Sequence, residues 1–318
     1  MSAPPPGEDI AIAVEGLSKS FDGRKVVDDL TMRVRRGQIY GFLGPNGSGK
    51  TTTIRMLCGL ITPDSGHGTC LGMDILTQAR QIRERVGYMT QRFSLYQDLT
   101  VQENLEFVAR IYCVPDPAAA AAAALERLGL KGRGGQLAGA LSGGWKQRLA
   151  LGACILPGPD VLLLDEPTAG VDPQARREFW AHIHNLAAEG MTVLVSTHYM
   201  DEAERCHEIA YIAYGRLLAQ GTVAGVIARA GLTTYTVEPA AGSEAPLAAL
   251  AHELEAAIGV DMVAPFGASL HISGHDAATL EAALAPFRAD GRFVFRRDAA
   301  TLEDVFIDLM HASRDNMP

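Results

Sequence analysis

"GPNGSGKTTT", residues 44–53, lies between the apolar "IYGFL" (39–43) and the leucine-containing "IRMLCGL" (54–60). Glycines this dense make a poor strand and a worse helix start, because glycine surrenders the most backbone freedom on ordering. They are useful where consecutive backbone N–H groups must turn inward around an anion. The stretch fits G-x-x-x-x-G-K-[ST], with Gly44, Gly49, Lys50 and Thr51 at the fixed places, after a strand-like run and before a helical one. The positive end of that helix and the Lys50 ammonium add to the attraction for phosphate. The Thr51 hydroxyl is a suitable oxygen ligand for Mg²⁺, a hard cation that shares its ligands with a nucleotide. This segment therefore reads as a nucleoside triphosphate site, built on the strand, loop and helix that open an α/β domain.

From residue 10 to about 221, β-rich runs alternate with helical ones. "VLLL" (161–164) and "TVLVS" (192–196) are apolar almost throughout, as expected of parallel strands covered on both faces. "VPDPAAAAAAALERLGL" predicts a helix from about Asp116 to Leu128, within a helical subdomain over about 92–156. Beyond 221 the texture changes. "TTYTVEP", "LAALAHELEAAIG", "ASLHISG", "AATLEAALAPFRAD", "RFVFRRD" and "LEDVFIDLMH" read as strand, helix, strand, helix, strand, helix, a small α+β domain over 222–318. Residues 1–9 read as a disordered tail.

The composition narrows the function. With 318 residues, 47% hydrophobic and 20% charged, the chain buries a substantial core. Its net charge of −9 argues against a nucleic-acid partner held through a broad basic surface. No apolar run approaches the roughly 18 residues that a membrane span needs, and the N-terminus carries no signal-peptide pattern. The expectation is a cytosolic chain that does not itself cross a membrane. Cys58, Cys70, Cys113, Cys154 and Cys206 are scattered and odd in number, so reduced, mostly buried thiols are expected.

"VLLLDEP" places Asp165 and Glu166 at the end of an apolar strand, where two adjacent carboxylates are costly without a cation or a proton to handle. In phosphate-loop enzymes such an aspartate helps hold Mg²⁺ and a neighbouring carboxylate orients the attacking water. "LSGGWKQR" (141–148) begins with Ser142, which can cap a helix, and with Gly143 and Gly144, which let an anion approach the backbone. By itself that motif is equally an ordinary capped helix.

In order and spacing, the phosphate loop, "TQ" at Thr90–Gln91, "LSGG", "LLLDEP", "AGVD" (169–172) and "STH" ending in His198 resemble the nucleotide-binding subunit of ATP-binding cassette (ABC) transporters. The resemblance implies a phosphate-loop ABC cassette with an inserted helical subdomain and bound ATP and Mg²⁺. It implies that Gly44, Pro45, Asn46, Gly47, Ser48, Gly49, Lys50, Thr51 and Thr52 cradle the phosphates and that Phe21 stacks on adenine. Thr51, Gln91 and Asp165 would serve Mg²⁺, Glu166 would be the catalytic base and His198 the switch residue at the γ-phosphate, with Lys50 stabilising charge. Ser142, Gly143 and Gly144 would face ATP held by a second protomer, and Asp172 would lie in the loop that crosses to it, making a head-to-tail homodimer.

The wording "LSGGWKQRLALG", "TAGVDPQARREFW", "STHYMDEAERC" and "TLEDVFIDL" is similar to the multidrug and antibiotic-resistance exporter ATPases paired with ABC-2-type permeases. This implies a peripheral protein on the cytoplasmic side of the membrane. Trp145 departs from the glutamine usual at its position. The rival reading is a soluble ABC-type switch acting on ribosomes or nucleic acid; those relatives usually carry two cassettes, or long coiled-coil or zinc insertions, and none is evident. His182 and His184, two apart on a helix, cannot share a metal. His271 and His275 have no nearby cysteine or paired carboxylate and read as satisfied surface or core histidines. The stripe Leu302, Val305, Phe306 and Leu309 reads as packing within the domain or against a second copy.

Overall fold

The computed structural model describes residues 9–241, 243 and 245–315. They form two compact units divided between Gln220 and Gly221.

The first unit opens with β1 (Ile10–Phe21) and β2 (Arg24–Arg35), an antiparallel hairpin. Its turn, Asp22-Gly23, has φ of 50° and 78°, the paired positive values that match a two-residue turn to the twist of its strands. Then follow β3 (Ile39–Leu43), α1 (Lys50–Leu57), β4 (Ser65–Cys70), β5 (Met73–Asp74), α2 (Ala79–Arg85) and β6 (Val86–Met89). A helical segment holds α3 (Val101–Ile111), α4 (Pro117–Arg127) and α5 (Gly143–Ile155). The chain returns through β7 (Val161–Asp165), α6 (Pro173–Ala188), β8 (Thr192–Thr197), α7 (Met200–Ala203), β9 (Glu208–Ala213) and β10 (Arg216–Gly221).

Two sheets result, ordered β2-β1-β4-β5 and β10-β9-β3-β8-β7-β6. In the larger one, β9, β3, β8, β7 and β6 run parallel. The smaller, antiparallel sheet is absent from the sequence reading: "SGHGTC" of β4 has too few apolar residues to announce a strand. Ile12, Val14 and Met32 of that sheet meet Phe42, Leu163 and Leu194 of the larger one and Ile54 of α1 in one buried cluster. Each such side chain contributes about 1.5–3 kcal/mol by leaving water. The register pairs Leu43 with Thr197 and Asp165 with Ser196, so the loops after β3, β7 and β8 emerge at one edge, where ligands of parallel sheets bind.

The helix expected from about Asp116 to Leu128 is α4; Asp116 caps it by accepting from the Ala119 N–H at 3.2 Å. The expected tail over residues 1–9 lies, through residue 8, outside the described residues. Asp9 is not part of a free tail: its carbonyl accepts from the Arg36 N–H at 2.8 Å and its carboxylate pairs with Arg36. Cys58, Cys70 and Cys206 are buried and Cys154 is partly so, while Cys113 is exposed; burial pushes the thiols of Cys70 and Cys206 up to about 12.

The second unit holds α8 (Val223–Ala230), β11 (Thr233–Pro239), α9 (Leu247–Glu255), β12 (Met262–Phe266), β13 (Ser269–Gly274), α10 (Ala277–Ala289), β14 (Phe293–Asp298) and α11 (Leu302–Asp315). Its sheet, ordered β12-β13-β11-β14, is antiparallel throughout, the split β-α-β arrangement of ferredoxin-like folds. The sequence reading lacked β12. β12 contains Pro265, which an edge strand tolerates because a missing N–H there costs little. His271 and His275 are satisfied histidines, as the sequence reading has them. His271 Nδ1 lies 3.1 Å from Asp304, and His275 lies between Asp261 at 3.0 Å and Asp308 at 3.6 Å; chain folding, not sequence proximity, supplies these carboxylates. Leu302, Val305 and Phe306 are buried as α11 packs on α8 and β12.

Candidate active site

The phosphate loop follows β3, and its glycines answer to neighbouring backbone. A Cβ on Gly44 would lie 2.0 Å from the Ile212 carbonyl oxygen; one on Gly49, whose φ is 106°, would lie 2.5 Å from that of Val26. Pro45, Asn46 and Gly47 form the exposed crest, whereas Ser48 is buried and its Oγ has no hydrogen-bond partner. Thr51 and Thr52 follow in the first turn of α1, both half-buried. Lys50, 4% exposed, donates to the carbonyls of Gly44 (2.7 Å) and Pro45 (3.0 Å). Burial pushes its ammonium below the ordinary range, and the facing carboxylates of Glu166 and Asp165 pull it back.

At the end of β7, Asp165 Oδ1 accepts from Ser196 Oγ at 2.7 Å and from Thr51 Oγ1 at 3.1 Å. Glu166 takes φ of 46°, a left-handed conformation uncommon outside glycine and held only where surrounding contacts fix it. Here its N–H donates to Ser196 Oγ (3.0 Å) and to the Ser196 carbonyl (3.2 Å). The bend aims its carboxylate into the cluster, where it accepts from Gln91 Nε2 at 2.9 Å. His198 Nδ1 stands 3.4 Å from the same oxygen, and Lys50 Nζ 3.5 Å from the other. Thr51, Asp165 and the amide oxygen of Gln91 offer hydroxyl, carboxylate and carbonyl donors, a set that fits a hard divalent cation such as Mg²⁺.

Among the described residues, no hydrogen bond or ion pair joins Phe21, Ser142, Gly143 or Gly144 to this cluster. Phe21 is 44% exposed at the end of β1, with Lys19 Nζ 5.6 Å from its ring centre. Ser142 occupies the N-cap position of α5, yet its side chain makes no capping bond, contrary to the sequence reading; it is exposed. A Cβ on Gly144 would lie 2.5 Å from the Ala175 Cβ, so that glycine lets α5 approach α6. Trp145 packs under two guanidinium groups, those of Arg133 at 4.3 Å and Arg148 at 4.6 Å, and Arg148 pairs with Glu178 of α6. Asp172 caps α6, accepting from the N–H groups of Gln174 (3.1 Å) and Ala175 (3.0 Å). Beside Gln91 a cavity of ≈ 140 Å³ is lined by Tyr88, Arg92, Leu95, Val108, Tyr112 and Pro157, among others. Tyr96, Phe107 and Ile111 are exposed nearby in sequence, Tyr96 meeting Phe107 edge-on at 5.1 Å.

Residues 27–169 match the family model described as ABC transporter. The Nod factor export ATP-binding protein I of Paraburkholderia xenovorans (strain LB400) is 38% identical over 306 residues, covering 94% of this chain and 96% of that protein. The chain belongs to the ATP-binding subunits of ABC transporters. The probable multidrug ABC transporter ATP-binding protein YbhF of Escherichia coli (strain K12) is 46% identical over 219 residues, 68% of this chain; the match spans 38% of that relative's own length. Among solved structures, cbiO1 from Clostridium perfringens, part of the ABC transporter complex cbiONQ, is 28% identical with a TM-score of 0.64, covering 70% of this chain and 92% of that one.

Within this ATP-binding subunit, the sequence reading missed the role of Ser196, which ties Asp165 to the Glu166 backbone. The signal was present: the hydroxyl residues Ser196 and Thr197 close the apolar run "TVLVST". It also missed the contacts of Arg176, Tyr199 and Glu202, which lie within the quoted "TAGVDPQARREFW" and "STHYMDEAERC" but meet only through the fold.

Proposed function

We propose that this ABC ATPase hydrolyses ATP to power export of a drug-like or other small molecule through a separate ABC-2-type permease. The observation that carries the reading is Gln91, which joins the Glu166 carboxylate to the loop bordering the exposed aromatic surface of α3. Phe21 stacks on adenine, and the loop from Gly44 to Thr52 cradles the phosphates. The Glu166 carboxylate takes a proton from water as its oxygen attacks the γ-phosphorus in line; ADP leaves and inorganic phosphate forms. Lys50, His198 and the N-terminus of α1 stabilise the charge on the phosphoryl oxygens. Mg²⁺, served by Thr51, Asp165 and Gln91, supplies further neutralisation of the phosphates when bound.

Ser142, Gly143 and Gly144 complete the site on a second copy, and Asp172 lies in the crossing loop, so the active unit is a head-to-tail homodimer. The uncapped N-terminus of α5 supports that assignment, because its exposed N–H groups are free for an anion. Residues 10–221 form the cassette, and 222–318 form an appended α+β domain with a structural or dimerising role. The protein works at the cytoplasmic face of the membrane as a peripheral subunit. Among the described residues no helix is long and apolar enough to cross a membrane, and the relatives named above are export or multidrug ATP-binding proteins.

Tagging the protein in its own cells, solubilising membranes in mild detergent and identifying co-purifying proteins by mass spectrometry tests this reading. A polytopic permease at near-stoichiometric yield is expected. Ribosomal proteins in its place would favour a soluble switch.

A further inference from the structure

Glu202, fully buried on α7, is a carboxylate that the hydrolytic chemistry above does not use. Burying it demands partners, and they come from two other segments. The Thr168 hydroxyl, in the loop after Glu166, donates to Glu202 Oε1. Arg176, on the first turns of α6 just beyond Asp172, places its Nε 3.5 Å from the same oxygen and its Nη1 3.7 Å from Asp201. These are ion-pair contacts without a hydrogen bond at Nε, and the same guanidinium lies 4.1 Å from the centre of the Tyr199 ring. Tyr199 in turn lies against His198, ring centres 4.1 Å apart at 37°, and the Tyr199 N–H donates to Thr197 Oγ1 at 3.0 Å. His198 Nδ1 then stands 3.4 Å from Glu166.

From this we infer that Arg176 and Tyr199 are positioning residues for His198: the buried Glu202 fixes the guanidinium, the guanidinium fixes the tyrosine ring, and the ring sets the imidazole beside Glu166. The inference rests on the catalytic role proposed for His198. A planar guanidinium suits this task because it can stack on a ring by its face while meeting carboxylates by its edge, which a lysine ammonium cannot do. Since the Arg176 N–H bonds to the Asp172 carbonyl at 3.0 Å, the same contacts connect the proposed crossing loop to the imidazole.

Steady-state ATP hydrolysis by the purified full chain tests it with Arg176→Lys, Tyr199→Leu, Tyr199→Phe and His198→Ala. Arg176→Lys keeps a cation beside Glu202, and Tyr199→Leu keeps apolar volume, so both are expected to fold with a thermal midpoint near that of the unaltered protein. Each is expected to lower kcat about tenfold with KM for ATP changed less than about twofold, the signature of an interaction realised in the transition state. Tyr199→Phe, which retains the ring face, restores kcat. Placed on His198→Ala, Tyr199→Leu adds no further loss, as expected if it acts through that histidine. Unchanged kcat in Arg176→Lys and Tyr199→Leu, or a loss that adds fully to that of His198→Ala, would overturn the inference. Should His198→Ala itself keep normal turnover, the catalytic assignment of the histidine fails, and this inference with it.

Discussion

Gln91 Nε2 donates a 2.9 Å hydrogen bond to Glu166 Oε2, joining the loop after β6 to the carboxylate at the end of β7. Whatever shifts Gln91 therefore shifts the proposed base. Gln91→Ala leaves His198 and Lys50 beside the Glu166 carboxylate among the described residues. We expect ATP affinity within about threefold of normal and kcat reduced about tenfold, read from equilibrium nucleotide binding and phosphate release.

Ser196→Ala removes the hydroxyl that donates to Asp165 and accepts from the Glu166 N–H. The site is buried, so the groups left behind cannot recover both bonds from water. The expected cost is about 1–3 kcal/mol of stability in urea unfolding. Turnover should fall as well, because the left-handed backbone of Glu166 loses one of its two restraints.

Tyr96→Glu puts a charge into the exposed aromatic surface on which we place the permease. Its ring is exposed and meets Phe107 edge-on, so the cassette should fold and hydrolyse ATP normally when purified alone. Recovery of the permease from detergent-solubilised membranes should fall about tenfold, the equivalent of 1.4 kcal/mol. Undiminished recovery together with undiminished export would remove this residue from the contact.

Asp28 ties the hairpin to β10, pairing with Lys25 at 2.6 Å and with Arg216 at 2.8 Å. These two cations, Lys25 first, hold its carboxyl below the ordinary 3.8. A depressed carboxylate contributes stability that is present above 3.8 and lost as pH falls through its folded value. Asp28→Asn should therefore cost about 1 kcal/mol at neutral pH, with the difference from the unaltered protein closing in acid. Urea unfolding across that range measures it.

Much of the site was legible because its chemistry is written in adjacent residues. A phosphate cradle needs glycines and a lysine at fixed spacing, and the paired carboxylates end an apolar strand. The strand, loop and helix around residues 44–53 follow from the same pattern. What stayed hidden depends on chain segments distant in sequence. Nothing local marks Ser196 as the bridge between Asp165 and Glu166, or Arg176 as the neighbour of Tyr199. Glu166 gives no sign of its left-handed backbone, since that conformation is imposed by β8. The five-residue edge strand β12 was passed over, and the sparse apolar content of β4 concealed part of a sheet. Trp145 stood out as a departure, but only packing shows it held under Arg133 and Arg148.

The central claim is that Glu166 activates water at an ATP site shared by two copies, and Glu166→Gln tests it most directly. The amide keeps the size of the carboxylate and removes the base. Measured on purified protein, ATP should still bind and now hold a stable dimer in sedimentation, while phosphate release falls by about a hundredfold or more. Near-normal phosphate release by this variant would contradict the account.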